Sequence, residues 1–355
     1  MARIKISYTD KDGRERIYEV NEGEVSIPLR RKKVADIDLT PLAGMTGIVS
    51  LDLGANYLDS VDLTPLGECP DLESINLFKN PLGTLDIEPL KSCEKLQELN
   101  LGSTELASIS LDPLSGTDLR RIRLFNNQIS EIDLRPLSAC RNLESLELEN
   151  NQLSGIDLVP LSNCKHLNQL NLMYNELTTL DLSPIADCQE MKFLYLHHNM
   201  LSEIDLSPME KWHDFRILRL GGNDLEFLDL SPLSNCRELR RLGLAMNRIS
   251  ELDLQPLENC PELRALDVAG NDIKSLDLSP LAKCESLEDF YIYSDHPDEN
   301  DINELDISPL FTCGSLEDLT VSPHTEIHAK GNLKNSDDIP FAIEDLIEEK
   351  RIKWD

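Results

Sequence analysis

The sequence predicts an α/β solenoid, a stack of near-identical layers with a parallel β-sheet on one face and short 3-10 or one-turn helices on the other. Three observations lead there. An LDLSPL-like segment recurs, its acidic position falling at Asp38, Asp62, Asp86, Asp133, Asp157, Asp181, Asp205, Asp229, Asp253, Asp277 and Asp306, with Ser110 in one copy. The step is 24 residues except for one of 23 before Asp133 and one of 29 before Asp306, so twelve copies occupy residues 34–324. Leucine supplies 63 of the 355 residues while Phe, Trp and Tyr together make 5%, a usage that suits repeated layers better than one irregular core. Between copies the chain reads LxxLxLxxNxL, as in LESLELENNQL from Leu143 and LNQLNLMYNEL from Leu167. A prior of about 150 residues per domain would divide the chain into two or three domains, but the repetition favours one elongated domain with a cap at each end.

Residues 1–33 read as an N-terminal β-hairpin cap, RIKISYT and RERIYEV flanking Asp12-Gly13, followed by the strand-like VSIPL. Within each repeat, alternation places Leu170 and Leu172 inward and Asn171 outward, which makes one short strand. Twelve such strands stacked about 4.8 Å apart would form a ladder of roughly 58 Å. The Asn column, Asn56, Asn80, Asn127, Asn151, Asn175, Asn199, Asn223, Asn247 and Asn271, turns the chain out of each strand. Its buried amides can satisfy neighbouring backbone groups, and Thr104, Asp295 and His324 interrupt it. Ser before Pro, as at Ser183-Pro184 and Ser231-Pro232, is expected to cap a brief helical turn with Pro in its first position. Residues 325–355 read as a C-terminal helical cap, in which Pro340 opens a helix with an apolar stripe of Ile343, Leu346 and Ile347.

This sustained register resembles the leucine-rich repeat family over about four-fifths of the chain, and its SPL element is partly similar to the internalin-like branch. Internalin units are shorter, and the additional Asp-Leu departs from them. The resemblance implies a leucine-rich repeat horseshoe with the sheet on its concave face, and it implies protein recognition in general.

Composition bounds the partners. Lys+Arg 34 against Asp+Glu 65 gives a formal charge of −31, which argues against general nucleic-acid binding. No run approaches the roughly 18 to 20 apolar residues of a membrane span, and MARIKISYTDKDGRER carries no apolar signal core. A cytoplasmic protein, monomeric and without membrane association, is expected. The nine cysteines, Cys69, Cys93, Cys140, Cys164, Cys188, Cys236, Cys260, Cys284 and Cys313, each lie seven residues after the repeat's Asp position. Met45, Thr117 and Trp212 fill the same column in other repeats. A column of small buried hydrophobes explains them better than zinc or disulfides, for there is no CxxC and the Cβ atoms of a stack lie too far apart.

Two surfaces invite function. The Asp column offers a cation-binding stripe on the convex side, although an Asx turn, which Ser110 can also make, explains the same residues structurally. The enlarged loop Ser294–Ile302, with His296, Asp298, Glu299 and Asp301, matches no ordered calcium-loop spacing and reads as solvated. The concave columns hold eight of eighteen Arg but two of sixteen Lys, the bias of a contact surface. Arg120 and Arg123 face Glu144 and Glu147 one repeat on, and are expected to form lateral ion pairs. Lys192, Arg216, Arg240 and Arg264 stack, but Glu190, Asp214, Glu238 and Glu262 stand two residues before them and are expected to neutralise them. Arg219 and Arg241 lack such a mate, and Tyr195 stands one repeat before Arg219, within reach of a cation–aromatic contact. With Phe193, and with Tyr174, His197, His198 and Met246 on the loop side, they compose the candidate partner-binding site. Gly221, Gly222 and Gly243 are expected to leave room above it.

No GxxxxGK[ST], GxSxG or HExxH occurs. The expectation is a non-catalytic scaffold that binds a protein or peptide on its concave sheet, with no cofactor, catalytic residue or metal. The alternatives are a structural or cation-binding solenoid using the convex Asp column, and a regulatory subunit of an enzyme.

Overall fold

A computed structural model describes residues 4–21, 23–293, 299–336 and 338–355. The chain forms two compact units, Met1–Glu176 and Leu177–Asp355.

The first unit opens with the antiparallel strands Ile4–Asp10 and Glu15–Val20, paired from Ile4↔Val20 to Thr9↔Glu15. Asp10 closes their turn: its carboxylate accepts the backbone N–H of Asp12 and of Arg14, each at 3.0 Å, and the Arg16 Nε–H at 3.1 Å. Val34–Ile37 pairs antiparallel with the first strand on its other side. Seven parallel strands follow in register, Ser26–Pro28, Ser50–Asp52, Ser74–Asn76, Glu98–Asn100, Arg121–Arg123, Ser145–Glu147 and Gln169–Asn171. VSIPL thus joins the repeat sheet as its first strand.

The second unit carries six parallel strands, Phe193–Tyr195, Ile217–Arg219, Arg241–Gly243, Ala265–Asp267, Asp289–Tyr291 and Asp318–Thr320. At its C-terminal end Glu304–Asp306, Glu326–Ala329 and Ile352–Trp354 make a separate three-stranded parallel sheet. Helix Phe341–Glu348 buries Ile343 and Leu346, while Ile347 is half-buried.

The strands of the repeat sheet are three residues long, each with its central residue facing the core. Leu194, Leu218, Leu242 and Leu266 are buried, and Phe290 continues their row. The chain leaves each strand through the Asn ladder. Asn223 donates through Nδ2 to Leu196 O at 3.1 Å and Leu220 O at 2.8 Å, and its Oδ1 accepts the Leu201 N–H at 3.0 Å. One amide therefore ties two consecutive repeats. Thr104 stands in the column with a hydroxyl that donates to Leu101 O at 2.6 Å. Asp295 lies outside the described residues, but Asn300, five positions later, takes the role: it donates to Val268 O and Ile292 O, and accepts the Ile273 N–H.

The opposite edge is a row of 3-10 turns of three to five residues, such as Ser231–Asn235, with Pro in the second position. The Ser does not cap them. A Leu occupies the cap position without a side-chain bond, and the group that accepts the turn's first N–H is the Asp two residues before, as Asp229 Oδ1 does for Ser231 N–H at 2.8 Å. The carboxylate reaches farther than a serine hydroxyl from its own backbone, and Ser231 Oγ–H in turn donates to Asp229 Oδ2. Ser110 performs the same turn with its hydroxyl, accepting the Asp112 N–H at 3.2 Å.

All nine cysteines are buried thiols. Several thiols point at a carbonyl of the preceding repeat, Cys69 at Leu42 O over 3.2 Å and Cys284 at Leu257 O over 3.4 Å. Burial pushes Cys236, Cys260 and Cys284 up to about 12, so they stay protonated. Trp212 fills the same column, its indole N–H donating to Ala186 O at 3.3 Å.

Candidate partner-binding surface

In the second unit the first and third residues of each strand point away from the core and build two rows. One runs Phe193, Ile217, Arg241, Ala265, Asp289; the other Tyr195, Arg219, Gly243, Asp267, Tyr291. Neighbours in a row lie about one strand spacing, ~4.8 Å, apart. Phe193 and Tyr195 are half-buried, and Arg219 and Arg241 are exposed.

Burial raises the Tyr195 phenol, and the charges of Arg219 and Arg241 pull it down, so both arginines lie within electrostatic reach of that ring. Arg219 does not stack on it. Among the described residues the cation–aromatic pairs are Lys11 with Tyr57 and Lys334 with Trp354. The reason is Gly243: with no side chain there, the Arg219 stem leans that way, its Cγ 3.8 Å from where a Cβ would stand. Tyr195 instead meets His197 edge-on, centroids 6.4 Å apart.

On the loop side, His197 and His198 contact each other at 5.5 Å between centroids. Burial first, and the electrostatic influence of His198 and Arg219 after it, push His197 down to about 4, so it is a neutral ring at pH 7. His198 and Met246 adopt left-handed backbone, φ +56 and +57. Met246 stands in a depression of about 440 Å³ lined also by Gly222, Gly270 and the ion pair Arg248–Asp224 at 2.8 Å. Tyr174, also left-handed and exposed, belongs to the first unit. Of the three glycines only Gly243 leaves space. His198 Nδ1 fills the place of a Gly222 Cβ at 2.6 Å, and Ala245 O stands 2.9 Å from that of Gly221.

The arginines divide by location. In the first unit Arg120 meets Glu144 at 3.1 Å, Arg121 meets Glu98 at 3.2 Å, and Arg123 meets Glu147 at 3.1 Å, as the one-repeat offset requires. In the second unit the expected neutralisation of the stacked ladder is thin. Arg240 reaches Glu238 at 3.8 Å, and Arg264 pairs with Glu288 of the following repeat at 3.3 Å rather than with Glu262. Among the described residues Lys192, Arg216, Arg219 and Arg241 have no carboxylate within 4 Å. Asp214, Glu238 and Glu262 sit in a tight turn, not on an extended strand, so the same-side rule that promised a match does not apply. Arg216 Nε and Arg240 Nε are also buried without a hydrogen-bond partner. Sequence reasoning set these two aside as structural, and it missed Asp267, half-buried beyond Gly243, its carboxyl raised by burial and lowered by Arg219.

The Asp column forms a different surface. A depression of about 800 Å³ is lined by Asp181, Glu203, Asp205, Glu226, Asp229 and the exposed Phe227, among others. One oxygen of Asp181 and both oxygens of Asp205 and Asp229 are engaged by their own turns. No group of three or more His, Cys, Asp or Glu among the described residues is arranged to hold a metal. His296 and Asp298 lie outside the described residues, while Glu299 and Asp301 flank the buried Asn300.

Comparison with known proteins agrees with this architecture. Family profiles for the leucine rich repeat match residues 141–201, for leucine rich repeats in two copies residues 117–159, and for the BspA type leucine rich repeat region residues 223–338. No curated protein matches. A leucine-rich repeat protein of Leptospira interrogans superposes with TM-score 0.70 at 20% identity, over 87% of this chain and 72% of that one. The functional domain of InlJ from Listeria monocytogenes, described as including a cysteine ladder, gives 0.65 at 20% identity over 86% and 68%. The ectodomain of the Arabidopsis thaliana receptor kinase GASSHO1/SCHENGEN3, solved with CASPARIAN STRIP INTEGRITY FACTOR 2, gives 0.61 at 23% identity over 87% and 38%. The chain is a leucine-rich repeat protein, an α/β solenoid with structural similarity to the internalins.

Proposed function

We propose that the protein is a non-catalytic recognition scaffold that holds a protein or peptide on the open sheet face of Leu177–Asp355, around Phe193, Tyr195, Arg219 and Arg241. The observation that carries this reading is the placing of half-buried aromatic rings beside exposed arginines that have no carboxylate within 4 Å among the described residues, on strands held in register by their neighbours. A preformed surface loses little entropy on binding, and aromatic and Arg side chains are those that dominate binding energy. A solved plant peptide hormone receptor, RGFR1 in complex with RGF2, has the same fold and supports the choice of partner class. Against nucleophilic catalysis by the cysteines stands their burial, which pushes Cys236, Cys260 and Cys284 up to about 12.

Tyr195→Ala combined with Arg219→Glu is expected to leave the circular dichroism spectrum and melting temperature of the protein intact, and to weaken capture of partners from a cell extract. Capture equal to wild type by the folded variant removes this face from the reading.

A further inference from the structure

We propose that this face selects a carboxylate-bearing peptide segment, held by Arg219 and Arg241 with Arg216 and Arg240 beside them. The inference rests on the recognition reading above and specifies the chemistry of the occupant. Its first support is an internal control. Arg120, Arg121 and Arg123 occupy the same three columns of the repeat as Arg240, Arg241 and Arg219, and each of them is met by a glutamate at 3.1 or 3.2 Å. In the second unit those columns place Arg216 and Arg240 on consecutive layers, linked backbone to backbone, with Arg219 and Arg241 diagonal to each other across the same two layers, and the one carboxylate near any of the four among the described residues is Glu238, 3.8 Å from Arg240. Like charges at strand spacing oppose folding unless an anion answers them, and this chain has almost twice as many acidic as basic residues from which to supply one. The second support is that the buried Nε–H donors of Arg216 and Arg240 meet no acceptor among the described residues, which leaves these guanidinium groups under-satisfied beside the exposed Arg219 and Arg241 that would make the contact. Buried donors are normally satisfied, and a carboxylate can take two guanidinium N–H groups at once.

The shape of the face limits the occupant further. Gly243 gives a floor without a side chain beside the Arg219 stem, so an extended peptide can approach the backbone there. Beyond Gly243 the charge reverses: Asp267, Asp289 and Asp318 follow on the next three strands. A uniform polyanion such as a nucleic acid would lie over those carboxylates and meet the repulsion of a chain of net charge −31. A short acidic segment over the arginines, continuing as neutral or basic residues over the aspartates, meets neither penalty.

The test uses the whole chain and short fluorescein-labelled peptides read by fluorescence anisotropy. One amidated peptide carries four Glu followed by Leu, Tyr and Lys; a second has Gln at the four Glu positions; a third is the Gln peptide with a free terminal carboxylate. Binding of the Glu peptide, or of the free-carboxylate peptide, about tenfold tighter than the Gln amide is expected, weakening as salt rises. Which of the two binds tells side-chain from terminal carboxylate. Arg219→Ala with Arg241→Ala should abolish the preference, while Arg120→Ala with Arg123→Ala should keep it. Equal binding of all three peptides, binding of none, or an unchanged preference in Arg219→Ala/Arg241→Ala overturns the proposal. Equal binding that Tyr195→Ala weakens would leave the sheet-face reading standing and dismiss only the carboxylate.

Discussion

At the scale of single residues, each repeat places the same side chain in the same environment, so exceptions are informative. Glu149 is the plainest. It is half-buried on the sheet side, one carboxylate oxygen is buried without a partner, and burial, reinforced by Glu147, pushes it up to about 7. Its pKa is raised in the folded state, so the stability linked to it is fully present below its unfolded value near 4.5 and is lost as pH rises through about 7. Glu149→Gln is therefore expected to stabilise by about 1 kcal/mol at pH 8, discounted for its partial exposure, and by nothing measurable at pH 4. Urea midpoints at the two pH values check this, and an equal gain at both would show that charge is not the cause. The columns that hold Leu, Asn and Cys were legible because identity recurs every 24 residues. Rotamers were not, which is why the stacking of Arg219 on Tyr195 failed: the direction of a long side chain depends on the vacancy at Gly243, two strands from the ring.

At the scale of elements, the strand and the 3-10 turn are each too short to stand alone and owe their form to the layers beside them. The Asp of the LDL segment organises the turn, so Asp229→Ala is expected to lower the thermal midpoint more than Ser231→Ala, whose hydroxyl supports Asp229 from outside. The reverse order would return the cap to the serine. Adding calcium to the wild-type protein should leave that midpoint unmoved if the carboxylates serve only their turns. The sequence showed the turn, its Pro, its brevity and the Asx turn at the Asp, but it also gave the Ser a capping role that the structure does not show, because Ser and Asp both suit such positions. Ile352–Trp354 escaped notice altogether. Three residues do not display a period, and their pairing with Glu326–Ala329 is a contact between segments distant along the chain.

At the scale of the molecule, the fold class was readable because one template repeats twelve times, whereas the division near Glu176 leaves no mark on composition or register. Electrostatics was half legible: the sum of −31 is a count, but which arginines lack acids depends on turn geometry around Asp214 and Glu238. A charge of that size makes self-repulsion a whole-molecule property. Sodium chloride in the range of physiological ionic strength should raise the melting temperature relative to a low-salt buffer, since screening relieves repulsion before it weakens exposed ion pairs of small value. A fall instead would mean that pairs such as Arg123–Glu147 dominate the balance. The Asn ladder has a consequence of its own. Asn300 closes its layer although five additional residues precede it, with the same three bonds that Asn223 makes at the ordinary spacing. Registry is thus kept by an amide and not by a count of residues, which makes the stretch between each strand and its Asn a port: an epitope or sensor peptide inserted ahead of that amide leaves the layers above and below in step.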